Sequence, residues 1–256
     1  MAGLTDAGLY GRGVATLLAC WQAYAQGCPG AAVIRSPGVA AAVFPDGPER
    51  TFLNNALLER QLTSSGRAHA LAAMERAYAS AGIAGFAAWA HESDRAMHGD
   101  LLARGYVVAE TTRAMGMVLS DLRVPRPEIE LEAPRWSEYL RIIGVPPEFA
   151  RRADRGAFHV LIAALDGTAA AAAMAFDRGS DCGIYNVATL EHARRRGLAT
   201  ALTALLAHDA MARGCRTASL QATPMAEGVY AALGFRNLGR IFEFVCNVTG
   251  KDAVPH

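Results

Sequence analysis

Residues 194–200 constrain the fold of this chain more than any other segment, because they combine three arginines with a glycine and small side chains. A strand-like run at 182–189 precedes them, and a long Ala/Leu-rich helical pattern follows. A glycine turn that opens a helix directs several backbone N–H groups to one point, and the helix dipole favours an anion there. The segment therefore predicts a phosphate-binding loop, in which Gly197 allows close approach of the backbone and the arginines supply positive charge.

A second motif follows, in which Tyr230 lies on a helical pattern that ends in Gly234-Phe235. Together with Arg194-x-x-Gly197-x-Ala199, this motif resembles the two signatures of the GNAT superfamily of acyl-CoA-dependent N-acyltransferases. The order and the spacing of the two motifs agree with the family pattern, and the resemblance covers residues 128–246. It implies acetyl-CoA as cosubstrate and transfer of the acetyl group to an amine.

The resemblance also implies which residues hold acetyl-CoA. In the family a central strand separates from its neighbour, and the pantetheine arm pairs with the backbone groups left free. One of these N–H groups could also polarise the thioester carbonyl. The implied cofactor contacts are Val187, Ala188, Thr189, Arg194, Arg195, Arg196, Gly197, Leu198, Ala199 and Thr200. Thr223 stands where relatives often carry asparagine, and it either donates a hydrogen bond to the cofactor or caps the next helix.

The resemblance assigns Tyr230 as the acid that protonates the leaving thiolate of coenzyme A. A phenol pKa of about 10 is close enough to a thiol pKa of about 8.5 for useful proton transfer. The central strand offers no Asp or Glu as general base, and Glu227 is either that base or an ordinary solvated helix residue. We therefore expect the amine to lose its proton through water.

These residues predict direct transfer of an acetyl group from acetyl-CoA to a primary amine of a small molecule or peptide, within a ternary complex. The alternative is a catalytically inactive protein that binds acyl-CoA as a sensor or partner. Tyr230 favours the enzyme, because binding alone does not require a phenol at that position.

Composition excludes several other classes of protein. A net charge of +1 provides no global attraction to nucleic acid or to an anionic membrane. No apolar run reaches the ~18–20 residues of a membrane span, and no signal peptide is evident. The five cysteines include no Cys-x-x-Cys pair, and the histidines show no metal-ligand spacing. We expect a reduced, cytoplasmic protein without a metal site, acting as a monomer or homodimer.

Periodicity and turn residues predict an α/β (α+β) chain. The expected helices are 5–26, 67–80, 93–103 with Ser93 as N-cap, 136–143, a short helix opening at 146–148, 195–213 and 224–233. The expected strands are 31–35, 39–44, 52–58, 85–90, 106–119, 128–132, 158–165, 168–176, 182–189, 217–222 and 235–245. Asp166-Gly167 predicts a hairpin turn between two of these strands.

A weak internal repeat predicts two GNAT-like domains, each a mixed, mostly antiparallel sheet flanked by helices, with the splayed strand in the C-terminal one. Gly66 and the elements up to Gly105 parallel Gly197 and the elements up to Gly234. Two unrelated α/β halves remain the alternative. The expected boundaries are 1–122 for a degenerate copy, 123–127 for a proline-containing linker, 128–247 for the catalytic domain and 248–256 for a disordered tail. The first copy is expected to bind no cofactor, because it lacks the arginines and has Leu101 in place of tyrosine.

Overall fold

The computed structural model describes residues 4–45, 53–146 and 153–246, and it shows strands alternating with helices. The helices are α1 (Asp6–Gln26), α2 (Ser64–Ser80), α3 (Arg95–Ala103), α4 (Trp136–Ile142), α5 (Leu198–Ala212) and α6 (Glu227–Leu233). The strands are β1 (Ala32–Ser36), β2 (Val39–Val43), β3 (Asn55–Leu58), β4 (Ala87–His91), β5 (Tyr106–Val118), β6 (Leu131–Glu132), β7 (His159–Leu165), β8 (Thr168–Arg178), β9 (Asp181–Thr189), β10 (Thr217–Ala222) and β11 (Arg236–Cys246).

Most predicted elements are confirmed within a few residues, and the hairpin turn is confirmed as well. Asp166 and Gly167 have φ angles of 53° and 74° between the paired strands β7 and β8, as a two-residue hairpin requires. The tight turn fixes the register of this hairpin within the sheet.

Several predicted boundaries are wrong for local reasons. Helix α5 begins at Leu198 instead of 195, because Arg195 and Gly197 adopt left-handed φ angles of 63° and 77°. Helix α3 is capped by the Asp94 side chain instead of Ser93. Helix α6 begins at Glu227 instead of 224, and the strand expected at 128–132 is reduced to Leu131–Glu132. Most of the helix expected at 146–148, the residue at 52 and the tail lie outside the described residues.

The chain divides into two compact units that differ from the predicted domains. Unit 1 comprises Met1–Val33 and Thr112–Arg240, and unit 2 comprises Ile34–Thr111 and Ile241–His256. The chain therefore passes from one unit to the other within strands β5 and β11 and inside β1, and no unit boundary falls at the proline-containing segment 123–127.

Unit 1 has a mixed sheet in the strand order β5-β10-β9-β8-β7-β6. The pair β9–β10 is parallel and is connected through α5, whereas the pairs β5–β10, β8–β9, β7–β8 and β6–β7 are antiparallel. Thr16 of α1 contacts Asp181 on one face of the sheet, and Cys182 belongs to the apolar cluster of α5 on the other. Because successive strand residues point to opposite faces, α1 and α5 cover opposite sides of this sheet.

Unit 2 has the strand order β1-β2-β3-β4-β11. Strands β2 and β3 are antiparallel, β3 and β4 are parallel, and β4 and β11 are antiparallel. Its core includes Met74, Tyr78, Phe86 and Met97, with the rings of Tyr78 and Phe86 stacked at 4.0 Å. Helices α2 and α3 supply the residues that cover this sheet.

The two units repeat one pattern of strands and helices. An antiparallel pair, a helix, a parallel partner and a second helix occur as β2-β3-α2-β4-α3 and again as β8-β9-α5-β10-α6. This agrees with the predicted duplication and argues against two unrelated halves.

The compact units differ from the sequence copies because the copies exchange elements. Strand β5 of the first copy pairs with β10 in unit 1, and β11 of the second copy pairs with β4 in unit 2. Helix α1 also packs on β8, β9 and β10 in unit 1. The sequence boundaries 1–122 and 128–247 therefore remain a prediction about the duplication and do not describe compact units.

A buried carboxyl group joins α1 to the sheet of unit 1. Asp181, 4% exposed, accepts hydrogen bonds from the hydroxyl groups of Thr16 at 2.7 Å, Thr217 at 2.6 Å and Ser219 at 2.9 Å. Helix α1 can approach β10 closely at Gly13, because glycine has no side chain. A Cβ at this position would lie 2.9 Å from the Cβ of Ser219. Buried polar groups are tolerated when they are hydrogen-bonded, so these hydroxyl groups are required for packing.

We expect Thr217→Val to lower the free energy of unfolding by about 1–3 kcal/mol, because it removes one hydrogen bond from a buried carboxyl group without changing the side-chain volume greatly. Urea denaturation followed by circular dichroism measures this change. Ser80→Ala, at an exposed position, is the control and should stay within about 0.5 kcal/mol of the wild type. An unchanged midpoint for Thr217→Val would contradict the role given to Asp181.

Candidate functional site

The central strand of unit 1 separates from its parallel neighbour, as the family resemblance implied. Strands β9 and β10 pair from Thr217↔Asp181 to Ser219↔Gly183, and beyond that point no register is shared. Strand β9 nevertheless continues to Thr189, and β10 continues to Ala222. One edge of β9 is therefore open along its second half.

A β-bulge lies in this open half of β9. Ala172 of β8 faces Ala188, whereas Met174 faces Tyr185, so β9 contains one residue more than β8 over this interval. Asn186 has a left-handed φ of 54°. A bulge of this kind bends the strand and changes the direction of the groups that follow it.

Backbone N–H and C=O groups of successive strand residues point to opposite edges of the strand, and this alternation indicates which groups of β9 face the open edge. The Leu190 amide donates to the carbonyl of Ala170 on β8, so Ala188, two residues earlier, also directs its backbone groups towards β8. Val187 and Thr189 then face the open edge, and the Thr189 carbonyl indeed accepts from the Arg194 side chain at 3.4 Å. The cofactor contacts of Val187, Ala188 and Thr189 stay predictions, and alternation favours Val187 and Thr189 over Ala188 for backbone pairing at the open edge.

The predicted phosphate loop forms an uncapped helix start. A short 3-10 turn, Glu191–Ala193, leads to Gly197, which is the N-cap of α5 and provides no side-chain hydrogen bond. A Cβ at Gly197 would meet nothing within 4 Å, so the space in front of the helix is open. In α2, by contrast, the side chain of Thr63 accepts from the amide of Gly66 at 3.1 Å. The first helix is capped by its own chain, and α5 is left able to bind an external anion.

The side chains of this loop fit an anionic ligand. Arg194, Arg195 and Arg196 are exposed, Leu198 is buried, and Ala199 and Thr200 are partly buried. The hydroxyl group of Thr189 is buried without a hydrogen-bond partner among the described residues. Positive charge, uncapped amides and an unsatisfied hydroxyl group thus lie along one continuous segment.

Tyr230 lies in the same apolar cluster as this loop and the central strand. The cluster includes Ile184 of β9 and Leu198 of α5, and the Tyr230 ring packs against Phe235 with its centroid 6.1 Å away. Tyr230 is 6% exposed, and burial raises its pKa to about 12. The phenol is therefore held in its protonated form at physiological pH.

Glu227 has partners that the sequence did not indicate. Its two oxygens accept from Arg113 Nε at 2.7 Å and from Arg240 Nη2 at 3.0 Å. Glu227 is thus neither an ordinary solvated helix residue nor a free carboxylate. Because both of its oxygens are bound by arginine side chains, this geometry gives no support to Glu227 as the general base.

Thr223 does not cap the following helix. The residue is exposed, α6 begins after Ala226, and Thr223 contributes its backbone carbonyl, which accepts from Ala226 and Glu227. The capping interpretation is therefore wrong, and the contact of Thr223 with a cofactor stays a prediction.

Sequence reasoning missed the residues behind the bulge. The Asn186 side chain donates from Nδ2 to the Tyr139 hydroxyl at 2.8 Å, and Tyr24 of α1 donates to Met174 Sδ at 2.9 Å. Tyr139 and Met174 are fully buried. No local pattern joins these residues, because they come from α1, α4, β8 and β9.

Neither a metal-binding cluster nor a membrane-spanning helix is found within residues 4–45, 53–146 and 153–246. No group of three or more His, Cys, Asp or Glu side chains is arranged to hold a metal ion. No helix in this part of the chain has the length and apolar character needed to cross a membrane.

Comparison with known families and structures agrees with this geometry. Residues 117–235 match the model of the Acetyltransferase (GNAT) family. A comparison with curated proteins gives no significant match. The match to the family model includes β10, α5, α6 and the whole of the open strand β9.

Several solved structures have a similar fold. A GCN5-related N-acetyltransferase from Kribbella flavida aligns with a TM-score of 0.70 at 16% identity, over 92% of this chain and 95% of that chain. One from Sphaerobacter thermophilus aligns with a TM-score of 0.62 at 17% identity, over 81% and 76%. A tandem GNAT protein from the clavulanic acid biosynthesis pathway aligns with a TM-score of 0.60 at 14% identity, over 98% of both chains. The last alignment shows that the similarity of fold extends over nearly the whole of both chains.

Proposed function

We propose that this protein, whose residues 117–235 match the model of the Acetyltransferase (GNAT) family, transfers an acetyl group from acetyl-CoA to a primary amine of a small molecule or peptide. Family membership supports an N-acetyltransferase type of enzyme. The observation that carries the proposal is the open edge of β9, which runs directly into the uncapped start of α5.

The loop before α5 would hold the pyrophosphate of acetyl-CoA. Amides at the start of α5 point into open space at Gly197, and Arg194 and Arg196 add charge beside them. The pantetheine arm has amide groups that can pair with a strand edge. Val187 and Thr189 would provide the backbone partners, because they face away from β8.

The same edge would orient the thioester. A backbone N–H directed at a carbonyl oxygen stabilises the negative charge that develops there as the amine attacks. Val187, immediately after the bulge, is the residue with an amide on the open edge at that position. The reaction forms the amide C–N bond and breaks the C–S bond of the donor.

Tyr230 would supply the proton to the departing sulfur. Burial keeps the Tyr230 hydroxyl group protonated, so it can donate to the thiolate at physiological pH. Tyr230 lies on α6 and belongs to the apolar cluster that also contains Ile184 of β9 and Leu198 of α5. The second proton leaves the attacking amine through water, because Glu227 is bound by two arginines and β9 offers no carboxylate in its open half.

The cysteines fit the cytoplasmic setting that we propose. All five, Cys20, Cys28, Cys182, Cys215 and Cys246, are free thiols in the structure. Free thiols are typical of proteins in reducing compartments.

We expect the double substitution Arg194→Ala/Arg196→Ala to weaken acetyl-CoA binding at least about tenfold, because each arginine contributes a charge-assisted contact with phosphate. Isothermal titration calorimetry measures the Kd. Arg35→Ala/Arg95→Ala removes two exposed arginines far along the sequence and is the control. Unchanged affinity in the first variant would place the cofactor elsewhere, and absence of binding by the wild type would contradict the proposed function.

We expect Tyr230→Phe to lower kcat about 100-fold or more while the Kd for acetyl-CoA changes little, since general acid catalysis contributes factors of about 10²–10⁴. Release of coenzyme A in the presence of an amine panel measures kcat. Full activity in Tyr230→Phe would show that another group protonates the thiolate. Binding of acetyl-CoA without turnover of any amine by the wild type would favour the inactive binding protein.

We expect kcat/KM for the acceptor to rise steadily with pH towards the pKa of the amine, about 10.4 for a lysine-like acceptor, because only the neutral amine attacks. Burial raises the pKa of Tyr230 to about 12, so its acid form persists and this residue causes no loss of activity over the pH range of the measurement. A pH–rate profile from about pH 6 to 10 tests this. A sharp ionisation near pH 6–7 would reveal a protein base instead.

A further inference from the structure

We propose that Asn186, held by the hydroxyl group of Tyr139, is a positioning residue that fixes the β-bulge of β9 and so directs the Val187 amide at the thioester carbonyl. The inference rests on the proposed acetyl transfer and adds two side chains to it. Neither side chain belongs to the two sequence motifs.

The backbone of Asn186 is unusual for its place in the fold. Left-handed φ angles occur at four described non-glycine residues, namely Gln61, Asp166, Asn186 and Arg195. Three of these lie in connections between elements, whereas Asn186 lies inside a strand. Asparagine tolerates this conformation better than most residues, but the conformation persists only where the surroundings hold it.

Those surroundings are visible at the Asn186 side chain. Its Nδ2 donates to the Tyr139 hydroxyl at 2.8 Å, and the same hydroxyl group lies 3.5 Å from Met174 Sδ. Met174 faces Tyr185 across β8 and β9, at the point where the register shifts. The side chain of the bulged residue is therefore bound directly to α4 and, through the Tyr139 hydroxyl group, to the strand partner at the bulge.

The anchor is rigid because its members are buried. Tyr139 is 0% exposed, Met174 is 0% exposed, and Tyr24 of α1, 5% exposed, donates to the same sulfur. Burial raises the pKa values of Tyr139 and Tyr24 well above that of a free phenol, so both hydroxyl groups stay neutral. A neutral hydroxyl group offers Asn186 one acceptor in a fixed position.

The bulge affects the reaction because backbone N–H groups alternate between the two edges of a strand. The extra residue at Asn186 sets which edge of β9 each following amide faces, and Val187 faces the open edge. If the bulge relaxed or slipped by one residue, the Val187 amide would turn towards β8. A preorganised donor stabilises developing charge only when its direction is fixed before the reaction.

The test uses the full-length protein with acetyl-CoA labelled with ¹³C at the thioester carbonyl. Infrared difference spectroscopy reports the carbonyl stretch of the bound ligand, calorimetry reports the Kd, and coenzyme A release reports kcat. Asn186→Gly keeps a residue that accepts φ of 54° and removes the anchor. Tyr139→Phe keeps Asn186 and removes only its acceptor. Tyr78→Phe removes a buried tyrosine hydroxyl group of unit 2, which donates to the Ala42 carbonyl, and is the matched control.

We expect the carbonyl stretch to move to lower frequency on binding to the wild type and to Tyr78→Phe, and to return towards the free value in Asn186→Gly and Tyr139→Phe. In those two variants kcat should fall about 10- to 100-fold, and the Kd for acetyl-CoA should change less than about threefold. A purely structural role would alter stability without moving the carbonyl frequency.

The outcomes separate the two proposals. If the wild type shifts the carbonyl and both anchor variants shift it equally, the role of Asn186 is wrong while the proposed function stands. If the wild type does not bind acetyl-CoA, the proposed function fails and the inference fails with it. Should Asn186→Gly not fold, Tyr139→Phe decides the question alone.

Discussion

The unpaired edge of β9 is the feature on which the rest of unit 1 depends. A central strand that loses its neighbour leaves backbone N–H and C=O groups without partners, which is costly wherever water is excluded. Pairing with β10 is complete only from Asp181 to Gly183, and at that point three hydroxyl groups surround the Asp181 carboxyl and hold α1, β9 and β10 together. The two strands are therefore held together at the Asp181 end of β9, while they remain apart at the Thr189 end.

The open end is shaped by three local departures from regular structure. Asn186 has a left-handed φ inside a strand, Arg195 has one in the following loop, and Gly197 has one at the helix start. Each departure interrupts the regular alternation of backbone groups along this segment. A strand that was regular to its end would place half of these groups on β8, and a helix capped like α2 would have its first amides satisfied.

The sequence predicts the parts of this site that depend on neighbours along the chain. The glycine turn, the helix after it and the Tyr230 motif are local patterns, and both the splayed strand and the mixed α/β fold agree with them. The ion pairs of Glu227 and the anchor of Asn186 were not predictable, because their partners Arg113 and Tyr139 are distant in sequence. The direction of the Ala188 backbone groups was not predictable either, because it depends on the register with β8 and on a bulge that no sequence pattern indicates.

The exchange of elements between copies explains why periodicity could reveal the duplication but not the compact units. The pattern of residues 106–118 predicts a strand but not its partner. The sequence therefore does not indicate that β5 pairs with β10. The first copy has no arginine loop and has leucine in place of the tyrosine, yet its last strand is a component of unit 1. The backbone of the first copy therefore contributes to the sheet of unit 1 although this copy lacks the arginines and the tyrosine of the second.

The position of α1 has a consequence for how the chain is made. Thr16 and Asp181 are separated by 165 residues, so the helix must wait for a strand that is synthesised much later. At about 5–20 residues per second the delay is roughly ten to thirty seconds. During that interval the apolar side chains of α1, among them Leu17, Leu18 and Trp21, have no sheet to cover them. The apolar side of α1 is therefore uncovered during synthesis until β9 and β10 have been made, which is a stage at which non-native contacts can form.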